Sequence, residues 1–169
     1  MTADAPDEAR SDAVRASNDQ LDERLRELAA QIPADLLHAD PGGDEWTLAQ
    51  NLAHVAEFSR YFSVDLAAQL KQEGTAVGRT HENADRLAAV AAAEGQGLDE
   101  LRGALDAALD VLAAQLAELR DEHLDRLAHN RKYGPEPLTK FLDRYVLGHK
   151  AAHIQQLEKT IEAAVQRRP

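Results

Sequence analysis

Between Leu98 and Leu119 leucine returns in steps of three and four: Leu98, Leu101, Leu105, Leu109 (beside Ala108), Leu112, Leu116 and Leu119. That period keeps one face of a helix apolar, whereas a strand, whose faces alternate every second residue, would scatter the same leucines to both sides. No ionisable residue interrupts the stripe, so a helix over about Leu98 to Glu122 is a structural wall. Such a wall has to be covered by other apolar faces.

Three other segments carry the same period. From about Asp12 to Gln31 the stripe is Val14, Leu21, Leu25 and Leu28, continued by Ile32, and Pro33 stops or bends the helix. A second helix is predicted from Thr47, with Gln50 as its capping-box partner, and should end before Gly74. Its stripe is Leu48, Leu52, Val55, Phe58, Phe62 and Leu66. The last helix is predicted from Leu138 to near Ala164. Between the first two, Pro41-Gly42-Gly43 marks a loop. Residues 73–97 form a longer connection, opened by Gly74 and Gly78, in which HENADRLAAVAAAEG can make a short helix. A connection of that length covers something or crosses the bundle. His123 to Pro137 reads as a loop broken by Gly134, Pro135 and Pro137, and no segment alternates as a strand for more than about five residues.

Four long amphipathic helices predict an all-α four-helix bundle, one domain over 11–166 with long connections. Residues 1–10, small and acidic with Pro6, are expected to be a disordered tail. With only 4% aromatic residues and few β-branched ones, alanine and leucine must build the core, which again favours helices. The absence of cysteine excludes disulfides, thiolate metal sites and a cysteine nucleophile, so any metal site must use His, Asp or Glu. No apolar run approaches the roughly 20 residues of a membrane span, and the acidic N-terminus is unlike a secretory signal. A cytoplasmic location is the expectation. The net charge of −11, from 30 acids and 19 bases, argues against a nucleic-acid partner.

The last helix breaks the leucine rule. Leu138, Phe141, Leu142, Tyr145, His149, Ala152, His153 and Gln156 fall on one side, and two histidines stand where more leucine belongs. Being four apart, His149 and His153 project from neighbouring turns of one face. Their nitrogens need partners, since an unpaired buried polar atom costs about 1–3 kcal/mol. Either they hold a metal ion, or they hydrogen-bond to groups such as Gln156 or Tyr145. His54, on the edge of the second helix's stripe beside Phe58, is the candidate third ligand. Three neutral imidazoles suit zinc with its fourth position left to water, and nickel or another first-row ion would suit them too.

Glu57, one turn after His54, can orient a ligand, act as a base on bound water, or be solvated; the solvated state is the expectation. His129, in the polar run Asn130-Arg131-Lys132-Tyr133, is a candidate to overhang the metal and touch an anionic substrate, with a solvated loop as the plainer account. Gln156 is the second candidate for substrate contact. His38, His81 and His123 lie in or beside loops without partner spacing and read as ordinary side chains.

Trp46-Thr47 opens a helix with His54 eight residues after the tryptophan. Tyr133-Gly134-Pro135-Glu136-Pro137-Leu138-Thr139 leads into the last helix, which carries His149-x-x-x-His153-x-x-Gln156-Leu157. In this order, over about 25–162, these pieces resemble the DinB/YfiT-like metalloenzyme family. The resemblance implies a four-helix bundle with a divalent metal held by His54, His149 and His153. Some relatives are thiol S-transferases using bacillithiol or mycothiol, and others are isomerases or hydrolases. The resemblance therefore implies a thiol S-transferase or hydrolase acting on a small molecule, with a low-molecular-weight thiol in the transferase case. Relatives often dimerise through helix faces, which implies a homodimer. Read from the residues alone, a non-catalytic metal- or ligand-binding bundle acting as a homo-oligomer stays open, because no residue is assured as a general base. One departure is Lys150, where relatives often have an acid; its side chain is expected to run to solvent.

Overall fold

The computed structural model describes residues 9–167. The tail expected over 1–10 lies outside them except for Ala9 and Arg10, and Arg10 already begins the first helix. That helix, α1 (Arg10–Gln31), ends where Ile32 turns extended ahead of Pro33. The second, α2 (Leu48–Lys71), starts as its capping residues dictate. Thr47 Oγ1 accepts from the Gln50 backbone N–H at 3.2 Å, and Gln50 Oε1 accepts from the Thr47 N–H at 2.9 Å. This reciprocal cap satisfies two otherwise orphaned donors and sets the phase in which His54 leaves the helix two turns later.

A short α3 (Ala84–Ala92), capped by Asn83, lies in the long connection and packs on α2. The leucine wall is α4 (Leu98–Ala117), and a separate turn, α5 (Asp121–Leu124), takes the residues expected to lengthen it. After α6 (Leu138–Phe141) and a π-helical stretch over Leu142–Leu147, α7 (Gly148–Gln166) completes the bundle. Both α1 and α2 pack against α4 and against α7, so the first two long helices face each other across the bundle. A long link between consecutive helices makes that diagonal order accessible. Leu105, Leu109 and Leu112 of α4 meet Phe58, Phe62 and Leu66 of α2 in a core where each is no more than 1% exposed. Each such side chain contributes roughly 1.5–3 kcal/mol by leaving water.

The expected loop from His123 to Pro137 contains a hairpin instead. Strand β1 (Ala76–Val77) runs parallel to β2 (Leu127–Asn130), and β3 (Gly134–Pro137) pairs antiparallel with β2. Strands of two and four residues are too short to show alternation, and β3 holds two prolines. Asn130 Oδ1 accepts from the N–H groups of Lys132 and Tyr133 at 2.8 and 3.2 Å, which folds the hairpin tip.

The last helix is not continuous. Gly148 N–H donates to Asp143 O, five residues back, and a Cβ at position 148 would lie 2.5 Å from that oxygen. Only glycine lets the π turn close so tightly. The turn inserts one extra residue, so the buried face moves on by one position. Tyr145, Val146, Lys150, His153, Ile154 and Leu157 are buried, while Ala152, expected on the stripe, is exposed. Lys150 therefore does not reach solvent. Its ammonium is fully buried, donates to Asn18 Oδ1 at 2.6 Å and forms an ion pair with Asp22 of α1. Burial lowers the Lys150 pKa and raises that of Asp22, and their mutual attraction opposes both shifts.

Candidate metal centre

The capped start of α2 and the π turn before α7 bring three imidazoles together. His54 Nε2 lies 3.3 Å from His149 Nε2, and His149 Nε2 lies 3.1 Å from His153 Nε2. A ring nitrogen offers one in-plane position, either a proton or a lone pair, so His149 Nε2 can serve both neighbours only by sharing that position. A common centre accounts for the cluster better. Two nitrogens about 2.0–2.1 Å from one tetrahedral ion stand roughly 3.3–3.4 Å apart, close to what is observed. These are the only His or acidic side chains among the described residues whose ligand atoms cluster tightly enough for an ion.

Aromatic rings hold the imidazoles. Phe58 lies 4.3 Å from His149 between ring centroids, Trp46 stands edge-on to His54 at 5.0 Å, and Trp46 stacks on His153 at 6.3 Å. Burial pushes His54 down to about 2, His149 to about 3 and His153 to about 4. The neighbouring histidines lower His54 and His149 further, and Arg86 lowers all three. The cluster is thus neutral at pH 7, the state in which imidazole binds metal. The Nδ1 atoms of His54 and His153 are buried without a hydrogen-bond partner. Metal at Nε2 would place protons there, and for His54 the carboxylate of Glu57 is 3.7 Å away.

Glu57 is not solvated. Its side chain is 14% exposed, and Arg79 holds both its oxygens at 2.5 Å. Gln156 lines a cleft of about 370 Å³ with the three histidines and Trp46. His129 is exposed on β2 and lines neither this cleft nor the one beside it. Its neighbours Lys132 and Tyr133 do line the second cleft, of about 240 Å³, on the His54 and His149 side.

No sequence pattern foretells what the long connection delivers. Arg79, His81 and Arg86 all reach the second cleft, and His81, read as an ordinary loop histidine, lines both. So the connection covers the histidine cluster. The Asn83 cap was a usable signal, since its side chain accepts from Arg86 N at 3.2 Å and fixes where α3 begins. Nothing periodic says which way the preceding loop folds. At Gly78 (φ +81°) a Cβ would sit 3.0 Å from Tyr145 Oη, so glycine there lets the connection pass close over the cleft wall.

No described helix is long and apolar enough to cross a membrane. No curated protein matches the chain. Its fold is similar to that of YfiT from Bacillus subtilis, described as a probable metal-dependent hydrolase with an unusual four-helix bundle topology. That likeness has a TM-score of 0.73 at 15% identity and covers 95% of this chain and 90% of YfiT. An uncharacterised protein from Clostridium difficile 630 aligns with a TM-score of 0.64, also at 15% identity, over 92% of this chain and 96% of its own. At that identity the likeness speaks for the fold alone. The model of the DinB superfamily matches residues 18–157, a span that includes all three histidines and both clefts' walls, and the chain belongs to that superfamily.

Proposed function

We propose that this protein is a metal-dependent enzyme acting on a small molecule, with a divalent ion held by His54, His149 and His153. The convergence of the three Nε2 atoms carries the reading. Three ligands with clefts on either side suit a catalytic centre more than a closed structural one. The ion would supply Lewis acidity and lower the pKa of a bound water or thiol toward neutrality. The chain's own part is to keep the ligands neutral by burial, to lock the rings against Trp46 and Phe58, and to hold substrate over the cluster. Hydrolysis and transfer of a low-molecular-weight thiol are both within this chemistry; zinc or nickel would serve. YfiT's description favours the hydrolase. Cytoplasmic residence and a homodimer belong to the same proposal.

A second reading, a non-catalytic metal-binding bundle, draws support from the Arg79 clamp on Glu57, which takes up the carboxylate nearest His54. Metal content by mass spectrometry, with a paired assay of ester hydrolysis and thiol transfer, separates the two. About one equivalent of zinc or nickel in the wild type, lost in His153→Ala with helical circular dichroism intact, is the expected result. Full metal occupancy in that variant would sink the proposed site, and bound metal without either activity would favour the non-catalytic bundle.

A further inference from the structure

The cleft beside His54 and His149 is cationic in a protein that is strongly acidic overall. Its charged walls are Arg79, Arg86, Lys132 and Arg144, and no carboxylate lines it. Two of the four are already neutralised. Arg79 is clamped on Glu57, and Arg144 donates to Glu136 at 2.6 and 3.2 Å. Arg86 and Lys132 have no carboxylate partner among the described residues. Arg86 donates one N–H to His81 O at 3.0 Å and lies over the Trp46 ring at 5.0 Å, which leaves the rest of its donor fork unused. Lys132 Nζ stands 5.1 Å from the Tyr133 ring centroid. These two cations come from α3 and from the β2–β3 hairpin, elements far apart in sequence, and both line this cleft.

Arg86 is half-buried and Lys132 exposed, and two cations beside one cleft set up a positive potential there that favours an anion. In a chain of net charge −11 the arrangement is also a local exception that would draw an anion past a repelling surface. The volume, about 240 Å³, is enough for a small acid group. We infer that the substrate of this centre carries an oxyanion, a carboxylate or a phosphate, held between Arg86 and Lys132 beside His54 and His149. The rest of the molecule extends past the histidines into the 370 Å³ cleft, where Trp46 and Gln156 offer a flat face and an amide. Asp44 is the single carboxylate there, and it forms no ion pair with Arg86. The inference rests on the proposed metal site for the reaction, while anion binding belongs to the cationic wall and is measurable without metal.

Trp46 is the only tryptophan, and it touches both Arg86 and the histidines, so its fluorescence reports on the clefts. Succinate and inorganic phosphate are titrated into zinc-free and zinc-treated protein, with succinamide as the uncharged isostere, by fluorescence and calorimetry. Saturable binding of succinate or phosphate, not of succinamide, is expected in both preparations. It should weaken about tenfold or more in Arg86→Gln and again in the exposed-site variant Lys132→Gln. Preference between the two probes tells a carboxylate from a phosphate. If the protein takes up no zinc yet binds the anion in this way, the metal proposal falls and the anion cleft stands. If it takes up zinc but binds neither anion, or both variants bind as tightly as the wild type, or succinamide binds equally well, the inference is overturned.

Discussion

Arg79 grips both oxygens of Glu57 at 2.5 Å, and in that grip Glu57 Oε2 faces His54 Nδ1 at 3.7 Å. Glu57 thus lies behind the candidate ligand and not on the cleft side, where, held by its own counter-ion, it would orient the ring of a metal-bound His54. Removing such a partner costs about 10–100-fold in metal affinity at well-studied sites. Glu57→Gln should therefore weaken zinc binding by about tenfold or more in a competitive chelator titration, with helical circular dichroism retained. Unchanged affinity would mean that Glu57 only neutralises Arg79.

A second buried ion pair lies one residue past His149. Lys150 and Asp22 are 0% and 4% exposed at their side chains, with Asn18 bridging them at 2.6 Å from Lys150 and 2.9 Å from Asp22. Replacing one member leaves the other charged and stranded, so Lys150→Met should cost about 3–5 kcal/mol in urea unfolding. Lys150→Met combined with Asp22→Leu should recover most of that loss, because two desolvated charges disappear together. A single variant within about 1 kcal/mol of wild type would show that the pair is more hydrated than its burial implies.

The histidine cluster makes the metal-free fold sensitive to acid. Burial holds His54, His149 and His153 at about 2, 3 and 4, against an ordinary value of 6.5. Below pH 6.5 the unfolded chain binds protons that the folded chain refuses, so stability rises with pH. Stability is complete above the unfolded value and falls away as pH drops through the folded ones. Each histidine contributes up to about 1.4 kcal/mol per pH unit within that window. Urea unfolding of zinc-free protein at pH 7.5 and 5.0 should show the drop, and a His54→Leu, His153→Leu variant should show a smaller one. An equal drop in both would assign it to other groups.

Much of this was legible in the primary structure. The leucine steps of 98–119 read out α4, and Thr47 with Gln50 read out the start of α2, because helix period and capping are local. His149 and His153 were legible for the same reason, being four residues apart on one helix. His54 was legible as a candidate from its place on the edge of the α2 stripe and from its spacing after Trp46, but only the bundle brings α2 to α7. The sheet escaped because its strands are only two to four residues long, and because β1 pairs with β2 across more than fifty positions, Ala76 with His129. Lys150 was misplaced because the π turn at Leu142–Leu147 shifts the face by one residue, which no period of 3.6 anticipates.

The order of residues by itself therefore determined four amphipathic helices, a cysteine-free ligand repertoire and the two-histidine face of the last helix. Each comes from a local rule: period, capping or side-chain chemistry. Tertiary structure alone decided that His54 closes the cluster, that Glu57 is tied back by Arg79, and that Arg86 and Lys132 share a cleft. Those outcomes depend on where separate elements pack, and packing is set by the sum of many burial contacts across the chain. No short stretch of residues encodes that sum.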